Sequence, residues 1–135
     1  MITAKELYNK LKDIRVGSPL CQFTEQNCED LLPIIQRIET LKRKKNAIIL
    51  AHNYVAPQII YSVADHTGDS YGLAKKARDS KAEVIVFASV RFMAETAKIL
   101  NPDKVVIDPN PNGGCTLADG ITAEDVKSLR TQFPD

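Results

Sequence analysis

No stretch of the 135-residue sequence approaches the roughly 20 consecutive apolar residues that a membrane-spanning helix needs. Net charge is scarce as well. Eighteen Lys+Arg stand against seventeen Asp+Glu, and a formal net charge of +1 removes the broad cationic field on which non-specific nucleic-acid binding rests. Neither a membrane nor a nucleic acid is therefore expected as a partner. Cysteine is limited to Cys21, Cys28 and Cys115, an odd number that leaves at least one thiol free and argues against a disulfide framework. Cys21 and Cys28 are separated more widely than the C-x2-C or C-x4-C arms of a metal knuckle, and His52 and His66 stand at no zinc-ligand spacing from them. That pair reads as incidental packing. The sequence also lacks internal repeats and low-complexity segments. Its start, Met1-Ile-Thr-Ala-Lys-Glu6, has neither the basic beginning nor the apolar centre of an export signal, so a cytoplasmic location is expected.

What is present is the composition of an ordinary globular domain, with 44% hydrophobic and 26% charged residues in a length that closes one core. Thr3 and Glu6 have the spacing of a capping box, and Leu7, Leu11 and Ile14 follow on one helical face, which predicts a helix over about 4–14. After a break at Gly17, Ser18 and Pro19, the spacing of Leu31, Ile34, Ile35, Ile38 and Leu41 predicts a second helix. It ends in Lys42-Arg43-Lys44-Lys45, where cations face the negative end of the helix dipole. Residues 1–45 thus form an N-terminal helical segment, and residues 46–135 read as an α/β domain. In that domain Ala47–Ala51, Glu83–Ala88 and Lys104–Ile107 are short apolar runs of the kind buried in a parallel sheet. Helices are predicted over Pro57–Asp65, from the Asp69-Ser70 cap through Ala77, over Phe92–Leu100, and from Thr122 onward. The order β, α, α, β, α, β implies a three-layer α/β/α fold around a small parallel sheet with right-handed crossovers.

In such sheets ligands bind beyond the carboxyl ends of the strands, and three polar groups fall there. His52-Asn53-Tyr54 follows the first strand and offers an imidazole and a phenol, able to donate to an anion or exchange a proton, or simply to bond a nearby backbone. Gly68-Asp69-Ser70 leads into a helix whose free N–H groups can hold a carboxylate or phosphate, although either side chain could serve only as its cap. Gly113-Gly114-Cys115 turns tightly and sets a cysteine ahead of an expected helix start, which suits a nucleophile, a redox centre, a metal ligand or a merely structural thiol. Phe92, Met93, Ala97 and Leu100 repeat at helical spacing and read as packing residues, while Glu95 could reach the crevice.

Taken in order, Ala51-His-Asn-Tyr54, Gly68-Asp-Ser70, Val90-Arg-Phe-Met-Ala-Glu-Thr-Ala-Lys-Ile-Leu100 and Gly114-Cys-Thr-Leu-Ala-Asp119 resemble the first third of the quinolinate synthase family. The resemblance runs from about residue 45 to 120, and the F-M-A-E-T-A-K-I-L-N-P run is its specific part. Tyr71 and Ala88-Ser89 depart from the usual pattern at positions that carry none of the expected ligands. The resemblance implies an enzyme of NAD biosynthesis that condenses iminoaspartate with dihydroxyacetone phosphate to give quinolinate, and a chain that is one of three similar α/β domains. Those domains surround a [4Fe-4S] cluster, each giving one cysteine, and one iron keeps an open position. By motif, Cys115 is the first cluster ligand, His52 and Ser70 bind the carboxylates of iminoaspartate, and Tyr54 lines the same pocket as the candidate catalytic side chain. The other two cysteine ligands would come from the remaining domains of the same enzyme, since Cys21 and Cys28 lie upstream of the matching region. The 135 residues are accordingly expected to be part of a longer enzyme, inactive alone, with an apolar face where the other domains dock.

Two further readings compete. A small-anion binding or regulatory module would use His52 and Ser70 without a metal. A thiol redox protein would use Cys115, although no second cysteine lies near it in sequence to resolve a disulfide.

Overall fold

A computed structural model describes residues 2–15 and 22–134. Two helices come first, α1 (Ala4–Leu11) and α2 (Glu25–Lys44). Both begin at threonine capping boxes, Thr3 with Glu6 and Thr24 with Asn27, where each side chain satisfies a backbone N–H of the other residue. Helix α2 runs through Pro33, which has no N–H to donate, and it begins several residues before the apolar repeat that marks it in the sequence. Its basic last turn has the expected place, and Lys42 adds a tertiary role. The Lys42 ammonium reaches Glu39 at 2.7 Å, Asp65 at 2.9 Å and the carbonyl of Val63 at 3.0 Å. The other Asp65 oxygen accepts the N–H of Ile49 at 2.8 Å, so one carboxylate ties α2 to the sheet.

The strands are β1 (Ala47–His52), β2 (His66–Gly68), β3 (Val84–Ala88) and β4 (Val105–Ile107), all parallel, in the order β2-β1-β3-β4. Between them lie α3 (Pro57–Ser62), α4 (Ser70–Asp79) and α5 (Arg91–Leu100), and α6 (Ala123–Gln132) follows β4. Three of the four strands stand close to the predicted runs. The addition is β2, a three-residue edge strand without an apolar side chain, which forms because its backbone pairs with the second half of β1. It also shortens the helix before it, which ends at Ser62 and not Asp65.

Alternating residues of the sheet feed two cores. Leu50, Ile85 and Phe87 face α4 and α5 and meet Leu73, Ala77, Met93, Ala94 and Ala97. Ile49 and Val86 face the opposite way, toward Leu7, Leu11, Cys28, Ile35 and Val63 of the helices α1 to α3 region. The result is the expected three-layer α/β/α arrangement. On that second face the β3–β4 half remains open, as an apolar trough of about 420 Å³ edged by Leu41, Val84, Val86, Ile107 and Pro109. Helix α6 buries none of its residues. The packing expectation for α5 holds for Met93 and Ala97, whereas Phe92 and Leu100 are exposed along the groove between α4 and α5.

Candidate functional site

From β1 the chain crosses to β2 on one side and later to β3 on the other. The carboxyl ends of β1 and β3 are therefore a topological switch point, where diverging connections leave a crevice. His52 is the last residue of β1, and its register partner is Gly68, the last residue of β2. The pairing continues one step further, with the N–H of Asn53 donating to the Gly68 carbonyl at 3.1 Å. The H-N-Y and G-D-S motifs thus stand side by side at one sheet edge. Sequence reasoning had no pairing to join them, because β2 carries no hydrophobic signature.

Asp69 caps α4, accepting the N–H of Gly72 at 2.8 Å. Ser70 is consequently the first helical residue and not the cap, and its exposed hydroxyl stands at the positive end of a ten-residue helix. It borders a groove of about 440 Å³ between α4 and α5, together with Lys75, Arg78 and Met93.

Tyr54 reaches across the switch point. Its ring lies 4.0 Å from that of His52, centroid to centroid, tilted by 33°. Its hydroxyl oxygen accepts the N–H of Val90 at 2.9 Å, and the O–H points to Met93 Sδ at 3.9 Å. Val90 is the N-cap of α5 and makes no side-chain cap of its own, so the phenol supplies a partner at the start of that helix. The next amide, Arg91 N–H, donates to the carbonyl of Gly113 at 2.9 Å. Two successive amides at the start of α5 therefore hold Tyr54 and the loop that carries Cys115.

That loop is built from nested turns. Asp108 accepts the N–H of Asn110 at 2.9 Å, Gly113 N–H donates to the Asn110 carbonyl at 2.8 Å, and Gly114 N–H donates to the Asn112 carbonyl at 3.0 Å. The second oxygen of Asp108 is buried without a hydrogen-bond partner among the described residues. Cys115 is half-buried and unpaired. The expected helix start behind it is a single turn over residues 116–120, with α6 beginning only at Ala123. Asp119 closes the turn instead, its carboxylate accepting the Cys115 N–H at 3.0 Å and its own N–H donating to the Cys115 carbonyl at 2.8 Å. Neither Asp119 nor the Val90 amide stands out in the sequence as a site residue, since both act through backbone contacts. Glu95 is engaged by Arg91 at 2.9 Å on the exposed face of α5. Cys28 lies in the core, where burial and then the charge of Glu25 push its thiol up, and Cys21 lies outside the described residues.

As a metal centre this edge offers one thiol of the right chemistry for iron. Among the described residues no three His, Cys, Asp or Glu side chains gather closely enough to hold an ion. Cys115 could supply a single thiolate to an iron centre, and further ligands would have to come from elsewhere.

Residues 36–135 match the family described as Quinolinate synthetase A protein. The chain belongs to that family. It is 56% identical over 133 residues to a quinolinate synthase of Agrobacterium fabrum, covering 98% of this chain and 36% of that protein. It is 57% identical over 100 residues to quinolinate synthase 2 of Mesorhizobium japonicum, covering 74% of this chain and 31% of that protein. A quinolinate synthase of Aquifex aeolicus is 49% identical over 107 residues, 79% of this chain and 33% of that protein. The chain spans about a third of the length of these family members. Among the described residues no helix is long and apolar enough to cross a membrane.

Proposed function

We propose that the chain is the first α/β domain of a quinolinate synthase, the enzyme of NAD biosynthesis that condenses iminoaspartate with dihydroxyacetone phosphate to quinolinate. The observation that carries this reading is the register that sets His52 beside Gly68, with Tyr54 and the Cys115 loop fastened to adjacent amides of α5. One sheet edge then collects an imidazole, a phenol, a serine hydroxyl and a thiol.

In this reading His52 and Ser70 donate to the carboxylates of iminoaspartate, and the positive end of α4 adds to the attraction. Tyr54 holds the His52 ring by contact, and its O–H, bonded only weakly to Met93 sulfur, is free to turn toward a bound anion or to move a proton. Fixing the substrate's orientation in this way lowers the entropic part of the barrier. Cys115 would hold a [4Fe-4S] cluster together with cysteines of the remaining domains. When bound, that cluster supplies a Lewis-acidic iron for the dehydration steps. The remaining domains are also the proposed partners of the apolar trough beside β4. The proposed location is the cytoplasm.

The reading is tested by steady-state kinetics of the full-length enzyme carrying His52→Ala. A rise in KM for iminoaspartate with intact cluster content supports it, and unchanged kinetics refute the assignment of His52.

A further inference from the structure

Asp119 grips the Cys115 residue from both ends of its backbone: the carboxylate takes the N–H at 3.0 Å, and the Asp119 N–H gives to the carbonyl at 2.8 Å. The same carboxylate lies so close to Gly114 that a Cβ there would come within 2.7 Å of its oxygen. A side chain at residue 114 would therefore force the carboxylate to shift from its present place. On its other flank the loop is fixed by the bond from Arg91 N–H to the Gly113 carbonyl. Cys115 sits between two anchors, one on α5 and one on Asp119.

From this geometry we propose that Asp119 is a positioning residue for Cys115, a clamp that presets the direction of the thiol before the cluster is assembled. The inference rests on the reading of Cys115 as a cluster ligand. The physical reason is general to metal sites, where groups behind a ligand fix its orientation, and their loss weakens metal retention roughly 10-fold or more. Without the carboxylate the Cys115 N–H loses its acceptor, and only the Asp119 N–H bond to the Cys115 carbonyl still closes the turn over residues 116–120. Gly114 is then part of the same device. An alanine there pushes the carboxylate off the Cys115 amide while leaving Asp119 itself in place.

The test follows cluster loss to a chelator, by visible absorbance, in the full-length enzyme carrying Asp119→Ala, Gly114→Ala, both, or Asp119→Asn. The asparagine keeps an oxygen able to accept the Cys115 N–H. The expected result is roughly 10-fold faster loss for Asp119→Ala and for Gly114→Ala, no further loss for the double variant, and near wild-type retention for Asp119→Asn. Wild-type retention in both single variants, additive effects in the double, or an Asp119→Asn as leaky as Asp119→Ala would each overturn the clamp. A wild-type enzyme that binds no cluster, or a Cys115→Ser variant that keeps it, would defeat the ligand reading instead. In that case hydrogen exchange of the Cys115 amide in the 135-residue chain still decides the clamp, with faster exchange in Gly114→Ala and Asp119→Ala expected and unchanged exchange overturning it.

Discussion

The hydroxyl oxygen of Tyr54 accepts the backbone N–H of Val90 at 2.9 Å, joining the loop after β1 to the start of α5 across the switch point of the sheet. Tyr54 thereby serves the fold and the candidate site at once. It gives the N–H of the N-cap residue Val90 an acceptor at the start of α5, and it holds its ring against His52.

Removing that oxygen separates the two roles. Tyr54→Phe keeps the ring beside His52 and strips the start of α5 of an acceptor. Because the bond is solvent-exposed, water replaces part of it, and a loss of about 0.5–1 kcal/mol is expected in urea unfolding of the chain.

Ser70 gives the opposite pattern. Asp69 carries the cap of α4, so Ser70→Ala should leave stability within about 0.5 kcal/mol of wild type. In the full-length enzyme the same change should lower kcat/KM roughly 10-fold, the cost of one hydrogen bond to a charged group. A marked loss of stability in thermal unfolding would mean that Ser70 is structural.

Phe87 is almost wholly buried between the sheet and the pair α4 and α5. Phe87→Ala should cost about 3–5 kcal/mol, a large share of the stability of a domain this size. Denaturant unfolding at equilibrium measures it directly.

Stability should also fall at alkaline pH. Burial, and then the charge of Glu25, raise the Cys28 thiol, so the folded state favours the neutral form. Burial works to lower Lys42, but its bonds to Glu39 and Asp65 outweigh that and hold the ammonium above its ordinary value. Both groups bind their proton more tightly when folded, so their contribution is full at neutral pH and is lost as pH rises through the folded values. The decline should begin above about pH 8.5, the ordinary cysteine value, and Cys28→Ala should delay it to about pH 10, where lysine titrates. On the acid side, backbone and then side-chain bonds to Thr3 lower Glu6, and side-chain and then backbone bonds to Thr122 lower Asp125. Those capping contributions are present above about pH 4 and fade as pH falls further.

Much of this architecture was legible in the residues themselves. Ala47–His52 and Val84–Ala88 are apolar enough to be buried on both faces, and Thr3, Asp69 and Thr122 are caps whose partners stand at fixed spacing. What escaped was structure made by tertiary pairing. His66–Gly68 becomes a strand only because β1 offers it an open edge, and that strand sets Gly68, two residues before Ser70, beside His52. The Cys115 loop likewise takes its shape from Asp119 and from an amide of α5, contacts to which hydrophobic periodicity is blind. The four side chains of the candidate site were visible as motifs, but the backbone bonds that assemble them were not.

Cys115 is the proposed ligand at one corner of an iron–sulfur cluster completed by the remaining domains of a quinolinate synthase. Anaerobic iron–sulfur reconstitution of the full-length enzyme, wild type against Cys115→Ser, tests it most directly. A stoichiometric cluster with visible absorbance is expected in the wild type and its loss in the variant; full cluster content in Cys115→Ser would overturn the assignment.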